Sequence, residues 1–384
     1  MPIFLIIIIS ILAGTTYYLA HRIHQGLACF FPKLKLLPIL LSVCTLTFIL
    51  VFGFIRSMLP LPAEAKQLLG LLNSYSMGIY LYLFFYTVLV DLLMLIPRRM
   101  KLSFSKKTIT QGIMTACVLL LTCITCIYGF VHEQQINHIT YEIQLEDKKD
   151  ISDLNVVLIS DLHLGAIGSE ERLENIVDEI NALKPDLICI AGDFFDTDFE
   201  AIQNPSAALQ TLRKLSATYG IYACLGNHDA GQTYPQMESF LADANITLLK
   251  EAYTVIDDRL ILIGRLDASP IGQFGEEKRQ ELSSFFTRED TSLPVIVLDH
   301  NPARIDEYTT EVDLILSGHT HKGQVFPGGL MTDMLYTVDY GYYQKDANSP
   351  HVIVTSGVGY WGLPMRVGTD CEIVNITFTC NNPK

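Results

Sequence analysis

"GIYACLGNHD", Gly220–Asp229, puts an apolar run directly before glycine, amide, imidazole and carboxylate. Alone, Gly226-Asn227 reads as a turn, because both residues tolerate positive φ. The pattern recurs, however. "NVVLIS" (155–160) runs into "DLHLG" (161–165), and "DLICIA" (186–191) into "GDFFD" (192–196). "PVIVLD" (294–299) precedes "HNP", "VDLILS" (312–317) precedes "GHTH" (318–321), and "HVIVTS" (351–356) precedes "GVGYWG" (357–362). Short β-rich runs closed by turn residues predict strands. Amphipathic stretches lie between them: one opens at Ser169 with Glu170 and Glu171 and runs to about Leu183, another covers 205–217. Strands alternating with helices predict an α/β (α+β) domain. Ligands in such sheets bind at the carboxyl ends of strands, and that is where the polar clusters fall.

The clustered side chains are metal-capable. Asp161, His163, Asp193, Asn227, His300, His319 and His321 mix carboxylate, amide oxygen and imidazole. This set suits borderline-to-hard divalent ions such as Mn, Fe, Zn, Co or Ni. Seven groups exceed what one ion needs. With one bridging carboxylate they suit two ions about 3.5–4 Å apart.

In this order the clusters resemble the signature of the calcineurin-like metallophosphoesterases, D-x-H, G-D, G-N-H-D/E, a His, then G-H-x-H. The match covers residues 155 to about 380. The closing "GVGYWGLPMRVGTDCEIVNITF" is similar to the tail of the branch with N-terminal membrane helices. The resemblance implies a four-layer αββα sandwich with two mixed sheets. It implies one metal on Asp161, His163, Asp193 and His321, with Asp193 bridging to a second on Asn227, His300 and His319. It also implies hydrolysis by a hydroxide between the metals. His228 would protonate the leaving oxygen, with Asp229 orienting it. The chain departs from the family in having Lys322 where glycine is usual and no arginine near Thr355 or Ser356. Both departures bear on substrate choice. Lys322 and Arg366 are candidates to contact substrate phosphate, and Trp361 is either a pocket wall or core packing.

Residues 1–131 are of another kind. Four apolar stretches, about 3–20, 37–55, 76–96 and 110–131, are each about the length that crosses a bilayer. "MPIF" lacks the basic start of a signal peptide, so the first is expected to be retained. Residues 132–152 read as a linker and a first strand leading into a 153–384 phosphoesterase domain. Residues 1–131 carry ten basic and two acidic residues, net +8; the rest carries 17 and 39, net −22. The basic loops at 21–36 and 97–109 are expected in the cytoplasm. That makes a multi-pass protein of the cell membrane with its acidic domain outside. A domain at −22 suits nucleic acid poorly, so no nucleic-acid partner is expected. Asp91, inside the third stretch, is the one intramembrane acid.

These features predict a membrane-anchored phosphoesterase acting on a small-molecule, nucleotide, lipid or envelope phosphate ester or pyrophosphate. The competing readings are a sensor or scaffold that keeps the fold without turnover, and a transporter with an accessory domain, which Asp91 alone supports. The nine cysteines divide between apolar stretches and strand runs. Cys371 and Cys380 flank one extended run and cannot readily pair within it.

Overall fold

The computed structural model describes residues 2–96, 107–146, 148–165, 169–285 and 292–381. The chain divides into two units, Met1–Val131 and His132–Lys384.

Among the described residues the first unit holds four helices: α1 (Pro2–Leu27), α2 (Leu36–Phe54), α3 (Ala63–Leu93) and α4 (Lys107–His132). All four are long and apolar enough to cross a membrane. α3 begins 13 residues before the apolar stretch at 76. Glu64, Lys66 and Gln67 interrupt hydropathy without interrupting helix propensity. Leu19, Ala20, Val43, Leu83 and Val118 pack together inside this unit. Asp91 is paired with Arg22 and accepts a hydrogen bond from Tyr18 Oη at 2.7 Å. Its charge is thus paired with a residue of a neighbouring helix. The basic residues Arg98, Arg99, Lys101 and Lys106 lie outside the described residues.

The second unit is built on two six-stranded mixed sheets. The first runs β1 (Ile136–Glu146), β12 (Cys371–Asn381), β2 (Asn155–Ile159), β3 (Leu187–Ala191), β4 (Ile221–Cys224), β5 (Thr247–Leu248). The second runs β10 (Gly341–Tyr343), β11 (His351–Val354), β9 (Leu314–Ser317), β8 (Val295–Leu298), β7 (Leu260–Gly264), β6 (Ala252–Ile256). In each sheet the central strands are parallel. Parallel strands are covered on both faces, which is why they read as unbroken apolar runs.

Alternation along β2 and β3 separates two cores. Val156, Leu158, Leu187 and Cys189 face the second sheet's Leu262, Ile296, Leu314 and Ile353. Val157, Ile159, Ile188 and Ile190 face a helical layer. That layer is α5 (Ser169–Ala182), α6 (Pro205–Leu212) and α7 (Tyr234–Asp243). α5 buries Leu173, Ile176, Val177 and Ile180, a single stripe at helical spacing. α6 starts on an Asn204 cap, whose side chain accepts from Ala207 N, with Pro205 at its first turn. It stops at Leu212 and not at 217, and the Ser216 amide donates instead to Asn181 Oδ1.

Among the described residues, short turns form much of the fourth layer, on the outer face of the second sheet. Short 3-10 turns at Leu282–Phe285 and Pro302–Glu307 cover Ile263, Val297 and Ile315. The remaining helix, α8 (Gly328–Leu335), buries none of its residues. Cys189, Cys224 and Cys371 are buried free thiols, and the Cys380 side chain lies outside the described residues.

Candidate metal centre

Both sheets deliver their polar loops from the carboxyl ends of parallel strands. β2 leads to Asp161 and His163, β3 to Asp193, β4 to Asn227 and His228, β8 to His300, and β9 to His319 and His321. The backbone is forced there. Asp161, His163, Asp193, His319 and His321 all adopt positive φ, between 48° and 72°. Each such residue costs about 1–3 kcal/mol and persists only where its surroundings hold it. Glycines make room for the crossing of two loops: a Cβ at Gly192 would strike the Gly226 backbone, and one at Gly226 would strike Asp193.

All seven predicted ligands are brought together, in two groups. In the first, His163 Nε2 lies 3.1 Å from His321 Nε2, 3.8 Å from Asp161 Oδ1 and 3.6 Å from Asp193 Oδ2. His321 Nε2 is 3.2 Å from Asp161 Oδ1. In the second, His300 Nε2 is 3.2 Å from the same Asp193 Oδ2 and 3.2 Å from His319 Nδ1. His319 Nδ1 is 2.8 Å from Asn227 Oδ1. One oxygen of Asp193 is therefore shared between the groups, a position from which a carboxylate can bridge.

The residues fit divalent cations on the evidence of their own bonding. Asp161 Oδ1 is buried without a hydrogen-bond partner. An acceptor left so is costly, about 1–3 kcal/mol and more when charged. Its other oxygen is occupied by Ser160 Oγ and the His319 amide, so Oδ1 is turned toward the histidines. The ring of His300 is fixed by Nδ1 against Ala191 O at 2.7 Å, which leaves Nε2 facing the cluster.

Burial and these close pairs set the charge states. Burial alone would raise the pKa of Asp193, yet His300 beside it holds the carboxyl below the usual range. Burial opposes a low pKa at Asp161 too, and His321 and His163 outweigh it. Burial, helped by His300, pushes His319 down to about 4. It also pushes His321 well below the ordinary imidazole value. Burial opposes protonation of His300 and His163 as well, yet Asp193 beside His300 and Asp161 beside His163 raise both. The ionised carboxylates, with His319 and His321 neutral, are in metal-binding form, and His300 and His163 would exchange a proton for a cation.

Several residues at the site were missed from sequence. Thr197 Oγ1 sits 2.5 Å from His228 Nδ1. Asp196 groups with His163 and His228, its ligand atom within 4.8 Å of theirs. Asn301 Nδ2 is 3.2 Å from His319 Nε2. Each lies within a few residues of a recognised motif, which was the available signal.

Similarity to known proteins agrees with this geometry. Residues 154–323 match the family model described as calcineurin-like phosphoesterase. A metallophosphoesterase of Aquifex aeolicus, uncharacterized, is 30% identical over 238 residues, covering 62% of this chain and 89% of that one. The chain belongs to the calcineurin-like phosphoesterase family. An uncharacterized Helicobacter pylori metallophosphoesterase is 31% identical over 242 residues, and the match spans 62% of this chain and 62% of that relative's length. A Danio rerio transmembrane protein with metallophosphoesterase domain is 28% identical over 344 residues, covering 85% of this chain and 77% of that one.

Within this phosphoesterase domain, two expected roles need correction. Asp229 does not touch His228. Its carboxylate accepts from Phe195 N at 3.1 Å and Gly226 N at 2.9 Å, so it ties two site loops together. Arg366 is fully buried, and its guanidinium donates to the carbonyls of His321, Ser356 and Gly359. It braces the loop that carries His321 and presents nothing to a substrate. Lys322 stacks over the Tyr340 ring, its Nζ 3.9 Å from the centroid. Trp361 is a wall: it is half-exposed, with its ring centroid 5.8 Å from that of His228.

Proposed function

We propose that this phosphoesterase is a membrane-anchored hydrolase of phosphate esters or pyrophosphates, and that its site holds two divalent cations drawn from Mn, Fe, Zn, Co and Ni. The observation that carries the reading is the pair of ligand groups sharing Asp193 Oδ2. Asp161, His163, Asp193 and His321 would hold one ion; Asp193, Asn227, His300 and His319 the other. When bound, such a pair supplies Lewis acidity to the phosphoryl oxygens and a water nucleophile at neutral pH.

The chain's own residues do the rest. His228 does not join either ligand group; Thr197 lies on its Nδ1. With the hydroxyl donating there, the proton resides on Nε2, which serves the leaving oxygen. Burial lowers the pKa of His228, so the ring acts as a neutral donor. Trp361 narrows the approach beside it. Lys322, next in sequence to His321, is proposed to contact phosphate on leaving the Tyr340 ring.

Anchoring is supported by four helices fit to span a bilayer. The excess of basic residues in the 21–36 and 97–109 segments supports an extracytoplasmic catalytic domain in the cell membrane.

Purified protein is expected to contain about two transition-metal ions per chain. It should hydrolyse p-nitrophenyl phosphate or bis(p-nitrophenyl) phosphate. Asp193→Asn should lose both metal and turnover; a variant that kept wild-type turnover would falsify the assignment.

A further inference from the structure

The helix α8 follows the "GHTHKGQ" loop and shows solvent what a helix normally hides. Leu330, Met331, Met334 and Leu335 are all exposed, Met334 by 85% and Leu335 by 74%. Asp333 is its one charged residue, and the helix buries nothing. Phe326, just before it, is half-exposed. Isolated surface apolar residues are ordinary, but a contiguous apolar cluster marks an interaction surface.

This cluster is attached to the rim of the metal centre. Tyr336, which caps α8, has its ring centroid 6.1 Å from that of His319. Gln324, two residues before Phe326, is bonded through both its amide nitrogen and its oxygen to the backbone of Trp361. Exposed Ile271 donates its amide to Asn227 O at 2.8 Å. The ligand loops thus carry an apolar collar of Ile271, Phe326, Trp361 and α8.

The chain itself indicates what covers the collar. It holds four membrane-capable helices. Only three residues separate the last of them, α4, from β1, a tether of about 10 Å at full extension. With α4 crossing a bilayer, as proposed above, so short a tether keeps the domain near lipid. Exposed methionine, leucine and phenylalanine bordered by tryptophan and tyrosine offer an apolar face with an aromatic rim, which suits the membrane–water boundary.

We propose that α8, with Phe326, Ile271 and Trp361, seats in the bilayer surface, and that the neighbouring site takes its phosphate ester from a lipid headgroup. This rests on the phosphoesterase reading above. In the reaction, water oxygen bonds to phosphorus, the P–O bond to the lipid alcohol breaks, and the departing oxygen takes a proton.

The test uses the full-length, metal-loaded protein in nanodiscs. Trp361 is the only tryptophan, so its fluorescence reports contact with lipid directly. Brominated phosphatidylcholine is expected to quench the wild type. The triple variant Met331→Glu, Met334→Glu, Leu335→Glu alters only exposed side chains and should escape most of that quenching. The same variant should hydrolyse phosphatidate in the disc at least tenfold more slowly, while its turnover of soluble p-nitrophenyl phosphate stays within twofold of wild type. Unquenched wild-type Trp361, or equal losses on both substrates, overturns the inference. So does a change of oligomeric state in the variant with quenching retained, since a second copy would then cover α8. Soluble turnover with no phosphatidate turnover sinks the lipid inference but leaves the phosphoesterase reading standing. No turnover of either substrate sinks that reading first.

Discussion

His228 and Asp229 are neighbours with separable duties, and substitution should distinguish them. His228→Ala is expected to lower kcat by about 10²–10⁴-fold with metal content unchanged, because the ring belongs to neither ligand group that shares Asp193. Inductively coupled plasma spectrometry beside steady-state kinetics checks this. Asp229→Asn removes one acceptor from two backbone amides. It should therefore cost about 1–3 kcal/mol of stability, read as a lower denaturation midpoint, before any change in the leaving-group dependence of turnover. Asn301→Ala withdraws the partner of His319 Nε2 and should weaken binding of one ion by about 10–100-fold, seen by titrating metal into chelated protein. At this scale the sequence was legible wherever a residue's type announces its chemistry: every Asp, His and Asn proposed as a ligand reached the cluster. It was not legible where contact decides the role. Asp229 follows His228 in the chain, yet its carboxylate turns to Phe195 and Gly226. Arg366 looked like a phosphate ligand and proved to be a brace behind His321.

Strands and helices differ in how openly the chain writes them. The parallel strands were readable because burial on both faces leaves apolar runs that stop where the sheet stops. α3 was under-read, since a hydropathy window sees where lipid can cover a helix and not where the helix begins. α8 went unnoticed: eight residues with an apolar face and no buried partner give no periodic signal to fit. The loop crossing at Gly192 and Gly226 makes the elements interdependent. Gly192 has φ of 79° and no room for a Cβ. Gly192→Ala should displace Asp193 and the Gly226 turn together, costing at least about 1 kcal/mol from backbone strain alone, with loss of both ions rather than one. Chemical denaturation and metal analysis on the same sample test this. Retention of two ions at wild-type stability would mean that the two loops are not coupled in the way described.

The whole chain joins two charge regimes, net +8 over residues 1–131 and net −22 over the remainder. A bilayer offers a reason for the division. Basic loops resist translocation, while an acidic domain does not. The proposal that residues 132–384 lie outside the cell follows from the basic segments at 21–36 and 97–109, which alternate with the nearly neutral segment between α2 and α3. The cysteines make a clean test feasible. Cys189, Cys224 and Cys371 are buried in the phosphoesterase unit, and the exposed thiols Cys44, Cys117 and Cys123 lie on the membrane-capable helices, where an aqueous reagent does not reach. Ala347→Cys places a thiol in an exposed loop between β10 and β11, distant in sequence from every ligand. A membrane-impermeant maleimide should label this variant in intact cells, with the parent chain as background. Labelling only after permeabilisation would reverse the orientation. It would also move the substrate to the cytoplasmic leaflet, because the metal centre travels with the domain that carries residue 347.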